Sequence, residues 1–177
     1  MNNLPRVTEI LKGCGLIPTF GFTDEARDRG TAVHMACQYY DLGDLDESSL
    51  DPVLVPYLAG WKKFLADHKC EWTAIEQRME HQTLGYRGTP DRVGYVNGTL
   101  LVVDVKSGAS AKWHRWQLAA YAGMQSDPYR YLRMVVRLQD DGNYKKDMFP
   151  ASNYPADFNV FCSALNIANV KILEGIK

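Results

Sequence analysis

No apolar run in this chain approaches the roughly 20 residues that a helix needs to cross a bilayer, so no membrane contact of that kind is expected. The opening segment MNNLPRVTEILKG has no apolar core of the secretory type, and a cytoplasmic location is the expectation. Cysteine is sparse and scattered. Cys14, Cys37, Cys70 and Cys162 include no C-x-x-C pair, which argues against zinc and iron–sulfur sites and for small buried apolar side chains. Net charge is only −1 at pH 7, so the chain as a whole is no polyanion binder by charge alone. No G-x-x-x-x-G-K-[ST] loop occurs, so any unwinding of nucleic acid has to come from elsewhere. Repeats, low-complexity tracts and linkers are also missing.

What is present is an ordinary globular composition, 46% hydrophobic and 23% charged, in 177 residues. That length suits one domain, 1–177, with a substantial core. The charge is uneven. Acids dominate from Asp24 to Asp51, whereas Lys106, Lys112, Arg115, Arg130, Arg133, Arg137, Lys145 and Lys146 dominate from Asp104 to Lys146. Such a basic region permits a local phosphate-binding surface, and a solvated mixed surface explains it equally well.

The patterning predicts helices first: Thr8–Lys12, a long one capped by Thr23 or Asp24 and running to about Leu42, and one starting near Asp51-Pro52 or Tyr57 and ending at His68. Strands follow at Trp72–Met79, Gly88–Val96 and Leu100–Lys106. A helix over Lys112–Met124, strands at Tyr131–Leu138 and Tyr144–Phe149, and a helix over Phe158–Leu173 complete the chain. The expected class is α+β (or α/β) with a central mixed sheet flanked by helices. Residues 1–70 form its helical part, 71–150 its sheet with a hairpin and a helix, and 155–175 its last helix.

The most informative stretch is GTPDRVGYVNGTLLVVDVKSG, from Gly88 to Gly108. Asn97-Gly98 is the chemistry of a tight type I′ hairpin turn, in which both central residues need positive φ. Counting outward pairs Val96 with Thr99, Tyr95 with Leu100, Val93 with Val102, and Asp91 with Asp104. Directly opposed side chains stand with Cβ atoms about 5 Å apart, where like charges repel. Lys106, two residues past Asp104, points to the same face. Asp104 and Lys106 interrupt the apolar run LLVVDVKSG, which reads as a buried strand, and buried carboxylates need partners. A hard divalent cation such as Mg²⁺ or Mn²⁺ turns the repulsion into attraction.

Other residues carry weaker signals. His34 lies mid-helix in RGTAVHMACQYY, with Gly30 and Thr31 on its face; an imidazole ligand would favour Mn²⁺, and a core or surface histidine is the plainer reading. Glu76 and Glu80 fall on one side of the first strand, and either could join the acids; for Glu80 an exposed position is preferred. Gln117 and Tyr121, at i and i+4, share a helix face with His114 beside them. That polar face, with Lys112 and Arg115, could meet a nucleic-acid backbone.

In these residues the chain resembles the PD-(D/E)XK nuclease superfamily, and most closely its RecB-like and phage-type exonuclease branch. Pro90-Asp91 and Asp104-Val105-Lys106 match the signature. Gly30 with His34, Glu76, Gly88-Thr89-Pro90-Asp91 and Gln117-Leu118-Ala119-Ala120-Tyr121 match the branch's ordered motifs, and RVTEILKG is similar to the opening of phage and mitochondrial relatives. The likeness runs from about residue 5 to 124. The cysteine cluster of the iron–sulfur members is absent, so no cluster is carried over.

The resemblance implies a restriction-endonuclease-like core and an Mg²⁺- or Mn²⁺-dependent deoxyribonuclease. It implies metal ligands at Asp91, Asp104, the Val105 carbonyl and His34, and catalytic roles for Asp91, Asp104, Lys106 and Glu76. Gln117, Tyr121, Lys112 and Arg115 would bind nucleic acid. The implied function is a DNA exonuclease in phage-type recombination, repair or DNA processing. A structure- or site-specific endonuclease and a non-catalytic binding module of the same fold are the alternatives. A single-strand annealing or single-strand-binding partner, an oligomer, and a phage-encoded protein in the host cytoplasm are further expectations from resemblance.

Overall fold

The computed structural model describes residues 4–18, 21 and 23–176; Met1–Asn3, part of the opening segment read for a leader, lie outside them. The elements run α1 (Val7–Gly13), α2 (Asp24–Leu42), α3 (Val55–Asp67), β1 (Cys70–Ile75), β2 (Met79–His81), β3 (Tyr86–Gly88), β4 (Arg92–Val96), β5 (Thr99–Lys106), α4 (His114–Gly123), β6 (Leu132–Leu138), β7 (Tyr144–Phe149) and α5 (Tyr154–Glu174), with three short 3₁₀ turns between. Helix α2 starts as expected: the Thr23 hydroxyl accepts the Ala26 amide, Asp24 and Glu25 occupy the first turn, and Gly43 ends it at φ +75°. No helix among the described residues is long and apolar enough to cross a membrane.

The class is α+β with a mixed central sheet in the order β1-β4-β5-β6-β7. Only β5 and β6 run parallel, and α4 is the crossover that a parallel pair requires. The other neighbours are antiparallel, and β2 and β3 form a separate ribbon. Along β5 the side chains alternate between two cores. Val102 faces α1, α4 and α5 with Leu118, Val135 and Phe161. Leu101, Val103 and Val105 face α2 and α3 with Val33, Trp61 and Phe64. Asp104 and Lys106 therefore leave the strand on the α4 side.

Several boundaries differ from the sequence expectation. The strand read over Trp72–Met79 breaks at Glu76, whose φ is +48°, so Glu76 occupies a bend while Glu80 belongs to β2. The strand read over Gly88–Val96 breaks at Thr89–Asp91 and divides into β3 and β4. The helix expected from Asp51-Pro52 starts only at Val55, with Pro56 in its first turn, because Asp51 instead accepts the Val53 amide in a turn. Helix α5 begins earlier than expected, at Tyr154, with a proline in its first turn.

Gly94 shows how tightly β4 meets β1. A Cβ there would collide with the Glu71 carbonyl oxygen and stand 2.8 Å from Trp72 Cα, next to the register shift between Trp72 and Ala74. Both obstacles are backbone, so neither can swing aside. Gly94→Ala should lower the unfolding free energy by about 1–3 kcal/mol, measured by urea titration.

Candidate metal centre

The turn that sets the site forms as its chemistry requires. Asn97 and Gly98 have φ of +50° and +77°. The register is Val96–Thr99, Tyr95–Leu100, Val93–Val102 and, last, Arg92–Val103. Asp91 stands one residue beyond that pair, where the hairpin opens. Its Oδ2 accepts the Val105 amide at 2.7 Å, so the carboxylate is bound to the strand that carries Asp104. Asp91 and Asp104 are both buried, at 5% and 1% exposure.

Two further elements converge on Asp91. Helix α2 brings His34, whose Nδ1 lies 3.2 Å from Asp91 Oδ2. The bend after β1 brings Glu76, whose Oε1 lies 3.9 Å from the same His34 nitrogen. The Glu76 amide donates to the Asp91 carbonyl at 3.0 Å, which pins the bend to the hairpin mouth. His34, Glu76 and Asp91 each offer a ligand atom, and these atoms lie within 4.8 Å of one another. Asp104 is not a member of that trio; its Oδ2 lies 2.5 Å from the Lys106 ammonium. Gly30, read beside His34, brings α2 close to the loop after β5, so that a Cβ on it would sit 3.8 Å from Ser107 Oγ.

The trio fits a hard divalent ion. Glu76 Oε1 is buried and has no hydrogen-bond partner, an arrangement that is costly without a cation. Two carboxylates and one imidazole are donors suited to Mg²⁺ or, better, Mn²⁺. Protons and ammonium groups balance the charge otherwise. Burial disfavours a charged His34, but the neighbouring Asp91 and Glu76 carboxylates override it and push the imidazole up to about 10. Burial likewise opposes ionisation of Asp91, and the His34 cation, the Lys106 ammonium and the Val105 amide overcome it, holding the carboxyl down at about 2. For Asp104, burial and the Asp91 charge outweigh Lys106 and lift it to about 6. Burial opposes the Lys106 charge too, yet Asp104 and Asp91 raise its pKa.

Helix α4 differs in exposure from the expectation. Gln117 and Tyr121 do share a face, and Gln117 Nε2 donates to the Tyr121 hydroxyl at 3.0 Å and to Thr8 Oγ1 at 3.4 Å. Both are buried beneath α1, so they do not share an open surface with Lys112 and Arg115, which are exposed. His114 is buried as well; burial and the nearby Lys106 charge push it down to about 4. Arg115 Nε pairs with Asp157 Oδ1 at 3.2 Å. Glu80 is exposed and paired with Arg78 at 2.8 Å, as preferred for it.

Two cavities flank this arrangement. One, about 320 Å³, is lined by Arg6, Thr8, Arg78, Arg87, Thr89 and Tyr121, among others, and Thr89 lies two residues before Asp91. Arg87 Nε is buried and unpartnered. The other, about 560 Å³, contains Lys112, Arg115 and Lys146 beyond the loop that follows Lys106. The arginines of the first cavity were not singled out in the sequence, because they come from separate segments: the β2–β3 ribbon brings the segment of Arg78 beside Arg87, and the β3–α1 contact brings Arg6 to Arg87. That contact includes the Arg87 amide donating to the Pro5 carbonyl at 3.0 Å.

These elements define an α+β protein with a half-buried carboxylate–imidazole cluster at the mouth of its central hairpin. No family model matches the chain, and no curated protein matches it. Among solved structures it is similar to an alkaline exonuclease (LHK-Exo) from Laribacter hongkongensis, at 13% identity and a TM-score of 0.39, over 97% of this chain and 91% of that one. It is also similar to LHK-Exo in complex with dAMP, at 17% identity and a TM-score of 0.38, over 95% and 79% of the two chains. The functional reading rests on the geometry of the site itself.

A pH dependence follows for the ion-free protein. His34 is raised from 6.5 to about 10, so its contribution to stability is complete below about 6.5 and is lost as pH rises towards 10. In EDTA the melting temperature should fall across that window, and His34→Gln should flatten the fall.

Proposed function

We propose that this protein is an Mg²⁺- or Mn²⁺-dependent deoxyribonuclease, acting as an exonuclease in DNA recombination, repair or processing. The observation that carries the reading is the meeting of Asp91, Glu76 and His34 at the mouth of a hairpin whose other strand presents Asp104 and Lys106. Pure binding of nucleic acid gives no reason to bury carboxylates together. The resemblance of the ordered motifs to the PD-(D/E)XK nucleases agrees with the same residues.

Asp91, Glu76 and His34 would hold the ion, with Asp104 and the Val105 carbonyl as further donors. When bound, a divalent ion lowers the pKa of a water and stabilises charge on the scissile phosphate. Lys106, half-withdrawn beside Asp104, would orient the attacking water and offset charge that develops on the phosphate oxygens. Glu76 would either serve the ion through Oε1, its oxygen without a hydrogen bond, or help accept a proton there. Tyr121 and Gln117 would shape the wall against which the strand lies. The Arg6, Arg78 and Arg87 cavity supplies cations for a phosphate beside the cleavage point, and Lys112 and Arg115 supply them on the other side. A single-strand annealing or single-strand-binding partner, and an oligomeric state, belong to the same proposal by resemblance alone.

Digestion of 5′- and 3′-labelled linear DNA and of closed circular DNA, with each metal, tests it. Linear DNA should be degraded, circles should survive, and EDTA should silence the protein until Mg²⁺ or Mn²⁺ is restored. Asp104→Ala and Lys106→Ala should each lower the rate by about 10³-fold or more while circular dichroism still shows a folded chain. Cutting that persists in purified Asp104→Ala contradicts the reading, and cutting of circles shifts it to an endonuclease.

A further inference from the structure

We propose that Arg92 is a positioning residue of this site, one that governs its affinity for a divalent cation through Asp91 and Glu76 without touching substrate. The inference rests on the metal-site reading above and adds to it a residue that the motif does not assign. Arg92 is 1% exposed and leaves β4 on the face opposite Asp91, towards α2 and α3. Its guanidinium is held from behind. Nε donates to Asp41 Oδ2 at 2.6 Å, Asp41 Oδ1 accepts the Trp61 indole N–H at 2.9 Å, and the Trp61 ring centroid lies 5.4 Å from the guanidinium carbon. Asp41 stands two helical turns after His34 on α2, so the helix that carries one member of the trio also carries the anchor.

From that anchor Arg92 reaches both remaining members. NH1 donates to the Asp91 carbonyl at 2.6 Å, the same oxygen that accepts the Glu76 amide at 3.0 Å. NH1 also lies 3.7 Å from Glu76 Oε1, the buried oxygen without a hydrogen bond. The guanidinium therefore fixes the Asp91 carbonyl, to which the Glu76 amide also donates, and holds the Glu76 carboxylate by charge. Glu76 needs that support, because its φ of +48° is a conformation that a non-glycine residue keeps only when its surroundings impose it. Lysine keeps the charge but has no fork to span Asp41 and Asp91 together.

The test compares wild type, Arg92→Lys, Asp41→Asn and Asp91→Asn by Mn²⁺ binding, read as free Mn²⁺ in electron paramagnetic resonance. It also compares kcat and KM for labelled DNA as Mn²⁺ is raised. Arg92→Lys should weaken Mn²⁺ binding by about tenfold or more. KM for DNA should stay unchanged, and kcat should recover at high Mn²⁺. Asp41→Asn should move the affinity in the same direction by less. A folded Arg92→Lys that binds Mn²⁺ like wild type, while Asp91→Asn has lost it, overturns the role of Arg92 and leaves the metal site standing. A wild type that binds no Mn²⁺ overturns both. If Arg92→Lys does not fold, Asp41→Asn decides by the same criterion.

Discussion

The structure depends on gathering Glu76, Asp91 and Asp104 at one end of the central sheet, where they are withdrawn from water. Carboxylates in that setting repel one another and lose hydration, and the fold is arranged around compensating them. Three cationic side chains do so: His34 from α2, Arg92 from β4 and Lys106 from β5. The raised pKa values of His34 and Asp104 express the same need, since each holds a proton more tightly than it would in water. A divalent cation is the natural replacement for such protons, because one ion can serve several oxygens and a nitrogen at once.

The backbone makes this gathering possible through local rules. Positive φ at Asn97 and Gly98 closes the hairpin tightly, and the period of two then fixes which residues share a face. The break at Thr89–Asp91 ends β3 and frees Asp91 to bend its carboxylate onto the Val105 amide. The break at Glu76 does the same for the preceding strand. Irregular backbone at the ends of two strands thus concentrates the chemistry, while the regular parts of the sheet fill the two cores. The crossover helix α4 completes the enclosure by laying Tyr121 against Gly88, where no larger residue fits: a Cβ at Gly88 would stand 2.6 Å from Tyr121 Cε1.

Much of this was legible in the sequence. The Asn97-Gly98 turn, the register through Val93–Val102, the cap at Thr23 and the strand Tyr144–Phe149 follow from local chemistry and periodicity, which tertiary packing did not override. The ligand role proposed for Glu76 was legible only as an acid in a strand, because the bend that redirects it arises from its bond to the Asp91 carbonyl, a long-range contact. Asp41 looked like one acid among many in a polar helix. Its importance comes from burial against Arg92 and Trp61, which helical spacing alone does not reveal. Gln117 and Tyr121 share the face that spacing predicts, but the burial of that face is decided by α1. The partners of Arg6 and Arg87 were hidden for the same reason, since neither lies near the other in the chain.

Diffraction from a crystal soaked in Mn²⁺, with data collected at the manganese edge, addresses the central claim most directly. The account predicts an anomalous peak between the Asp91 and Glu76 carboxylates and the His34 imidazole. No peak there at saturating Mn²⁺, with these side chains unmoved, would contradict it.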